Sequence, residues 1–306
     1  MLNKFKTMFG GGDADLSRAG RRRVDLSERF EFVEKMTQGT MSRTHRAVEL
    51  ATGKTFCIKV QIREKNEAAA ARTEDRPCEG EISYRINSPH VARTYEYGTT
   101  RDDEQYLIME FVDGVSVEAV RTTMKVGLRA KAKLLARAAR GFADIHEAGF
   151  IHHDINSRNI LVSKQNQVKI IDFGLAVPNL PAFHKPGNRT GALPYMAPEL
   201  IRREPTDERL DIFAFGAVAF ELLTDRLPFA VAPGANSMAL MLNRINSDAL
   251  DPAEANPRLS DEYCEVLRKL LARRKEDRWP SMKTLAERLE EIPVRRDEHP
   301  GEVVDH

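Results

Sequence analysis

The pattern of apolar and polar residues in the first third of the chain is typical of β-strands. From about Phe30, short runs rich in β-branched and aromatic residues are separated by turn-forming residues, and Ala51–Lys54 predicts a tight turn. Short connections of this kind favour antiparallel pairing. The predicted strands are Phe30–Met36, Thr44–Leu50, Thr55–Ile62, Ala92–Gly98 and Gln105–Phe111.

A charged, alanine-rich stretch between the third and fourth strands predicts a helix over Glu64–Ile86. Asn87-Ser88-Pro89 follows it, and the proline halts helical structure there. This part of the chain therefore predicts a small antiparallel β lobe that carries one long helix.

After Asp113-Gly114 the pattern becomes mostly helical. Leu128–Ala148 has one apolar face at helical spacing, and Gly149 is well placed to end the helix. The residues of that face are Leu135, Ala138, Phe142 and Ile145. Two short β-type runs follow, Asn159–Val162 and Val168–Ile171.

One later segment, Ile212–Leu223, is nearly all apolar. It is shorter than the roughly 20 residues that span a bilayer, so it predicts a buried core helix. Together the elements predict an α+β fold with a small antiparallel β lobe and a larger, mainly helical lobe. We predict a flexible basic leader over residues 1–27, a folded domain over residues 28–292 and a charged tail over residues 293–306, with the two lobes at 28–112 and 113–292.

Composition narrows the classes of partner. The 306 residues carry a formal net charge of +1, which predicts no nucleic-acid partner. The three cysteines have no spacing typical of a zinc site or a disulfide framework, which favours a cytoplasmic protein. Met1–Phe9 has an apolar stripe with lysines on its other face, which makes it a weak candidate for contact with a membrane surface. The alternative is a disordered leader that ends at Gly10–Gly12.

Four short motifs occur in a fixed order along the chain. In combination they have the order and approximate spacing of the protein-kinase signature set. The sequence therefore resembles the eukaryotic-like protein kinase superfamily over about residues 30–292, which implies a bilobal protein-kinase-like fold. The motifs are Phe56-Cys57-Ile58-Lys59, His152-His153-Asp154-Ile155-Asn156-Ser157-Arg158-Asn159, Asp172-Phe173-Gly174 and Ala197-Pro198-Glu199.

The resemblance implies a role for a lysine and a glutamate of the small lobe. Lys59 is the cation expected at the α- and β-phosphates of ATP, and a glutamate on the long helix is expected to hold it. Glu79 is our choice, because apolar residues follow it at helical spacing, and Glu81 is the alternative.

The resemblance also implies the residues of the phosphoryl-transfer step. Asp154 is the catalytic base that orients the acceptor hydroxyl and takes its proton. Asn159 and Asp172 supply the hard oxygen ligands that Mg²⁺ prefers. His152 has a structural role, packed below the turn at Asp172. The implied cofactors are ATP and Mg²⁺.

Several further positions match the nucleotide pocket of the family. Met109–Val112 is the expected hinge, with Met109 limiting the depth of the adenine pocket. Cys57 is expected to pack against the adenine ring and not to act as a nucleophile. The implied nucleotide-binding residues, besides Lys59, are Met36, Gly39, Thr44, Cys57, Met109, Glu110, Val112 and Leu161.

Two scaffold features separate the chain from small-molecule phosphotransferases of related fold. Asp211 resembles the aspartate that ties down the catalytic loop, and Arg278 resembles a late arginine that pairs with Glu199. Small-molecule phosphotransferases generally lack the pair that Glu199 and Arg278 form in this resemblance.

The chain departs from the family pattern in its phosphate loop and its catalytic loop. Thr37–Ser42 keeps only the middle glycine of the Gly-rich loop, Gly39, so we expect weaker nucleotide binding, not its loss. His153 replaces the arginine that clamps a phosphorylated activation loop. Thr190 is the only hydroxyl side chain between Asp172 and Tyr195, and our hypothesis is an activation loop set without phosphorylation.

The sequence leaves alternatives open for the acceptor residue and for the catalytic activity. Asn156 and Ala192 stand where serine/threonine kinases carry a contacting lysine and threonine, while Arg158 is reminiscent of tyrosine kinases. We expect serine or threonine as the acceptor, because serine/threonine kinases are the more frequent class in the superfamily. The alternatives to an active protein kinase are a pseudokinase that binds nucleotide or partners without turnover and a small-molecule kinase. The sequence predicts a protein substrate without identifying it and predicts no oligomeric state.

Overall fold

The computed structural model describes residues 23–38, 42–62, 76–185, 190–229, 234 and 236–295. Gly39, the segment Met1–Phe9 and most of the predicted tail lie outside the described residues. The chain divides into two compact units. One falls within Met1–Asn87 and Ala92–Asp113, and the other comprises Ser88–Val91 and the residues from Gly114 onward.

The first unit contains a six-stranded sheet in the order β1-β5-β6-β4-β3-β2. The pairs are antiparallel, apart from the parallel pair that β1 forms with β5 at one edge. The predicted strands are present, and the fourth begins two residues later than expected. The strands are β1 (Arg23–Val24), β2 (Phe30–Gln38), β3 (Ser42–Glu49), β4 (Thr55–Gln61), β5 (Thr94–Thr100) and β6 (Gln105–Glu110).

Within the described residues of this unit, the continuous helix predicted over Glu64–Ile86 is interrupted. In the part of the chain that the structure describes, α1 covers Glu79–Arg85, and residues 76–78 before it are not helical. The predicted helix was Glu64–Ile86, of which residues 64–75 lie outside the described residues. Pro77 explains this interruption of the helix, because proline cannot donate the helical hydrogen bond and disfavours helical backbone in the residue before it. Cys78 caps the helix instead, and its Sγ accepts a hydrogen bond from the Glu81 backbone N–H over 3.4 Å.

Helix α1 lies directly on strand β5. A Cβ atom placed on Gly80 would lie 2.5 Å from Cβ of Tyr97, so only glycine allows this approach. One turn further on, the buried hydroxyl of Thr94 donates a hydrogen bond to Oγ of Ser83 over 3.0 Å. These two contacts fix the position of the helix against the sheet.

The described residues of the second unit are mainly helical, with two small sheets. The sheets pair β10 with β9 and β9 with β7, and β11 with β8. The strands are β7 (Gly114–Ser116), β8 (Phe150–Ile151), β9 (Ile160–Ser163), β10 (Val168–Ile170) and β11 (Val177–Pro178). The helices are α2 (Val117–Thr123), α3 (Leu128–Glu147), α4 (Pro198–Arg202), α5 (Arg209–Thr224), α6 (Ser237–Asn246), α7 (Pro252–Ala255), α8 (Asp261–Leu270) and α9 (Met282–Glu291).

Two helices of this unit are buried as the sequence predicted. The apolar face of α3 is fully buried, and Gly149 follows the helix with a φ of 83°. Every residue of α5 from Leu210 to Thr224 is buried, which confirms the core helix expected at Ile212–Leu223. Among the described residues, no helix is both long and apolar enough to cross a membrane.

Candidate active site

In the first unit, a buried lysine and a buried glutamate form an ion pair. Nζ of Lys59 lies 2.7 Å from Oε1 of Glu79, and both residues are less than 10% exposed. The predicted partner is thus the residue that the structure pairs with Lys59. The alternative, Glu81, instead pairs with Arg85 one turn along the same helix, at 2.8 Å.

The glutamate has a second partner that lies outside the predicted site residues. Nε2 of Gln61 donates a hydrogen bond to Oε2 of Glu79 over 2.8 Å. Each carboxylate oxygen of Glu79 therefore accepts from a different residue of strand β4. The signal in the sequence was a polar residue two positions after Lys59, since alternate residues of a strand share one face.

The predicted nucleotide-binding residues of this unit lie on neighbouring strands. Cys57 and Met109 are opposite each other in the β4–β6 pair, and Thr44 is opposite Lys59 in the β3–β4 pair. Burial raises the pKa of the Cys57 thiol to about 11, so the thiol stays protonated, as expected for a packing residue. The remaining residues of this group are Met36 on β2, Glu110 at the end of β6 and Val112 just after it. Leu161 belongs to the second unit, on β9.

In the second unit, the loop between β8 and β9 is anchored by a buried aspartate. Oδ2 of Asp211 accepts the His152 backbone N–H over 2.7 Å, and Oδ1 accepts the His153 backbone N–H over 2.9 Å. Nε2 of His146 lies 2.9 Å from the same carboxylate. Burial alone would raise the pKa of Asp211, but the contact with His146 holds it below the usual value. The role expected for Asp211, tying down this loop, matches these contacts.

The carboxylate of Asp154 is held at both oxygens. Oδ2 accepts a hydrogen bond from Nδ2 of Asn159 over 3.0 Å, and Oδ1 accepts the backbone N–H of Ala192 over 3.1 Å. Burial raises the pKa of Asp154 above the ordinary aspartate value, and the nearby Asp172 carboxylate acts in the same direction. A carboxylate that is oriented and more basic than usual suits a general base.

Asn159 and Asp172 are positioned next to each other by the backbone. The Ile171 N–H donates to the Asn159 carbonyl over 3.0 Å, which places Asp172 beside Asn159. Because Nδ2 of Asn159 donates to Asp154, its amide oxygen is left as an acceptor. An amide oxygen and a carboxylate are the hard ligands that Mg²⁺ takes, and Mg²⁺ needs only one or two protein ligands besides phosphate and water. The donor set therefore fits a magnesium ion.

Two residues of this site have left-handed backbone. His153 has a φ of 65° and Asp172 a φ of 67°, conformations that residues other than glycine rarely adopt. The contact of the His153 N–H with Asp211 holds the first of these residues in place. Non-glycine residues in this region cost free energy and persist only where their surroundings enforce them, which is typical of functional sites.

His152 is a packing residue, as the family resemblance implied. Its ring is fully buried, 5.6 Å from the ring of Phe142 and 5.2 Å from the ring of Phe173. Nε2 lies 3.3 Å from the Ile171 carbonyl oxygen. The ring therefore supports the chain just before Asp172.

A buried hydrogen-bond chain links the catalytic loop to the segment before Ala-Pro-Glu. The hydroxyl of Tyr195 lies 2.9 Å from Oγ of Ser157 and donates to Oε2 of Glu221 over 2.7 Å. Nη2 of Arg121 lies 3.3 Å from Oε1 of Glu221. The kinase motifs do not include these residues, although Glu221 stands out in the sequence as the one carboxylate in the apolar run 212–223.

The pairing expected between Glu199 and Arg278 is present. Nη1 and Nη2 of Arg278 each lie 2.7 Å from a different carboxylate oxygen of Glu199, so the contact is bidentate. The Arg278 side chain is fully buried, and its guanidinium also donates to the Ala272 and Arg209 carbonyls. The pair therefore joins helix α4 to the segment between α8 and α9.

Comparisons with known proteins give one consistent result. A family model for the protein kinase domain matches residues 30–289. The chain is 29% identical over 265 residues to the serine/threonine-protein kinase PknB of Mycolicibacterium smegmatis, covering 83% of this chain and 41% of that protein. It is 29% identical over 287 residues to PknB of Mycobacterium tuberculosis, covering 90% and 44%. It is 26% identical over 274 residues to the probable serine/threonine-protein kinase pknA2 of Bifidobacterium longum, covering 88% and 36%. The chain thus spans less than half the length of these relatives.

Proposed function

The chain belongs to the protein kinase family, and from that premise we propose that it transfers the γ-phosphoryl group of ATP to a serine or threonine hydroxyl of a protein. The observation that carries the proposal is the carboxylate of Asp154, held at both oxygens by Asn159 and Ala192. In this role Asp154 orients the acceptor hydroxyl and takes its proton during transfer.

The other residues neutralise charge and position the nucleotide. Lys59, itself held by Glu79, would contact the α- and β-phosphates of ATP. Asn159 and Asp172 would hold Mg²⁺, which when bound neutralises the charge that develops on the phosphate oxygens. Glu79 keeps the ammonium of Lys59 in one place, so that little reorganisation is needed when ATP binds.

The acceptor class rests on the relatives and not on a side chain of the catalytic loop. The relatives are serine/threonine kinases by name. In this chain Nδ2 of Asn156 donates to the Asp154 carbonyl over 3.0 Å, so Asn156 shapes the loop and does not reach toward an acceptor. We also propose a cytoplasmic location, because the three cysteines have no spacing typical of a disulfide framework or a zinc site.

A pseudokinase is the second candidate, favoured by the reduced glycine loop and by His153 in place of arginine. The retention of the proposed base, the phosphate-binding lysine and both magnesium ligands argues against it, because a protein without turnover has no chemical need to keep all four residue types. These residues are Asp154, Lys59, Asn159 and Asp172. The bidentate pair of Glu199 with Arg278 argues against a small-molecule kinase.

The experiment that tests the proposal is transfer of labelled phosphate from ATP and Mg²⁺ to a generic protein substrate. The parent chain should label the substrate, and Asp154→Asn should reduce labelling by about 10²-fold or more. Asp102→Asn, at an exposed turn position, is the matched control and should behave as the parent. Nucleotide binding by the parent without label transfer, over a broad set of protein substrates, would favour the pseudokinase instead.

A further inference from the structure

The side chain of Gln61 contacts the ion pair of Lys59 and Glu79 directly. Gln61 is 9% exposed, and its amide donates to Oε2 of Glu79 over 2.8 Å, while Lys59 donates to Oε1 over 2.7 Å. The three residues are buried together, where hydrogen bonds to a charged group are strongest.

Both donors come from one rigid element. Lys59 and Gln61 lie two residues apart on β4, so their side chains leave the same face of the strand about 7 Å apart along it. At Lys59, β4 is flanked on both sides, by Thr44 of β3 and by Leu107 of β6. A strand paired on both sides cannot shift without breaking its ladders, so the spacing of the two donors is set by the sheet.

The two donors restrict the carboxylate more than a single one would. With Lys59 alone, the carboxylate of Glu79 could rotate about its last torsion and the ammonium could follow it. With an amide on the second oxygen, the plane of the carboxylate is defined. The amide is also neutral, so it does not compete with Lys59 for the charge of Glu79 or add a second cation beside the phosphates.

We propose that Gln61 is a positioning residue for phosphoryl transfer, which acts by fixing the orientation of Glu79 and, through it, the ammonium of Lys59. The proposal rests on the proposed function, because it takes Lys59 to contact the phosphates of ATP. In this role Gln61 contacts Glu79 and does not itself touch the nucleotide or the protein substrate. Its effect is confined to interactions that need the phosphates of the nucleotide.

The test compares donor-free variants with a matched control. Gln61→Met keeps the length and shape of the side chain but removes the donor, and Gln61→Leu is a second donor-free variant. Gln61→Glu keeps the size but places a carboxylate against Glu79. Gln105→Met, at an exposed position of β6 in the same sheet, is the control for the change of residue type. For each protein we would measure the affinity for ATP with Mg²⁺, the affinity for adenosine, the kinetic constants of phosphoryl transfer and the thermal midpoint.

The expected result is a selective loss for the nucleotide with phosphates. Gln61→Met and Gln61→Leu should lose about tenfold in kcat/KM for ATP, the size expected for one hydrogen bond to a charged group. Affinity for adenosine and KM for the protein substrate should stay at parent values, and Gln61→Glu should fall below both donor-free variants. If Gln61 contributed only to stability, the variants would have a lower thermal midpoint but no selective loss for ATP relative to adenosine.

The outcomes distinguish this inference from the proposed function. If the parent chain itself fails to transfer phosphate, the proposed function fails, whatever the variants do. If the parent is active and the donor-free variants keep its kcat/KM for ATP, or lose affinity for ATP and adenosine equally, the inference about Gln61 is wrong while the proposed function stands.

Discussion

The backbone N–H of Ala192 donates a hydrogen bond to Oδ1 of Asp154 over 3.1 Å. This contact joins the segment that follows Thr190 to the carboxylate of the proposed catalytic base, and the segment contributes only its backbone. The threonine that the family usually carries at this position is absent, and the peptide group itself supplies the donor. Its geometry depends on the preceding residue, Gly191, which has a φ of 96°.

We predict that Gly191→Ala lowers phosphoryl transfer by about tenfold or more. Left-handed backbone costs about 1–3 kcal/mol for a residue other than glycine, and a Cβ atom at Gly191 would lie 2.9 Å from the His153 carbonyl oxygen. Relief of that contact would move the Ala192 N–H away from Asp154. Initial rates at saturating ATP check the prediction.

The control for this change is Gly53→Ala. Gly53 also has a positive φ, 69°, but a Cβ atom there would meet nothing within 4 Å. It should show the backbone cost in thermal stability and keep the parent rate per folded molecule. Equal rates for the two variants would contradict the role given to Gly191.

The pH dependence of the reaction should reflect the environment of Asp154. Burial raises its pKa above the ordinary 3.8, and the base acts only when deprotonated. Activity should therefore fall on the acid side through a midpoint that lies above pH 3.8. A profile of kcat/KM against pH, measured where the fold is intact by circular dichroism, gives this midpoint.

The same shift predicts a stability effect of defined sign. A carboxyl whose folded pKa is raised releases its proton more readily in the unfolded chain, so the folded state loses stability as pH rises from the unfolded pKa through the folded one. Above that window, the ionised Asp154 therefore opposes folding. Asp154→Asn should accordingly be no less stable than the parent at neutral pH, and a clear loss of thermal stability in this variant would argue against the raised pKa.

Gly80→Ala should disturb helix α1 and with it the pair of Lys59 and Glu79. The added Cβ atom would lie 2.5 Å from Cβ of Tyr97, too close to the backbone of β5 for a rotamer change to relieve. Overpacking of this kind costs about 1–3 kcal/mol, measurable by urea denaturation. Since Glu79 precedes Gly80, we expect kcat/KM for ATP to fall as well.

Gly127→Ala is the comparison for that variant, because a Cβ atom at Gly127 would meet nothing within 4 Å. It should leave both the free energy of unfolding and the rate near the parent values. If Gly80→Ala behaved in the same way, the close packing of α1 on β5 would not control the position of Glu79.

Arg278→Lys should strongly destabilise the second unit. Breaking a buried pair costs about 3–5 kcal/mol, and lysine cannot reproduce the bidentate contact with Glu199 or the donations of the guanidinium to three backbone carbonyls. Arg274→Lys, at a side chain that is 74% exposed, is the matched control and should change the free energy of unfolding by less than about 0.5 kcal/mol.

Activation should not require phosphorylation of Thr190. His153 stands where a phosphate-clamping arginine would be, and the segment after Thr190 is already joined to Asp154 through Ala192. Mass spectrometry of the active protein should therefore find Thr190 unmodified, and Thr190→Ala should keep the parent rate of phosphoryl transfer. Modification of Thr190 that raised the rate many-fold would overturn this prediction.

The residue types of the proposed site were readable from the sequence. Lys59, Asp154, Asn159 and Asp172 lie in short motifs whose order and spacing are those of the kinase family, and the apolar run 212–223 indicated a core helix. Such features are local, because spacing along a strand, a helix or a loop depends on a few neighbouring residues. The start of α1 also depends on neighbouring residues. The prediction of one helix over Glu64–Ile86 was wrong at Pro77, because a proline interrupts a helix at that point.

Only the tertiary structure decided which side chains share a charge or a hydrogen bond. Gln61 and Glu79 are 18 residues apart, Asp154 and Ala192 are 38 apart, and Tyr195 and Glu221 are 26 apart. Each contact joins groups that folding removes at least partly from water, and such polar groups must find a donor or acceptor wherever the packing of whole elements places one. The sequence by itself determined the chemistry that is available, and the packing of helices against sheets determined which of those groups meet.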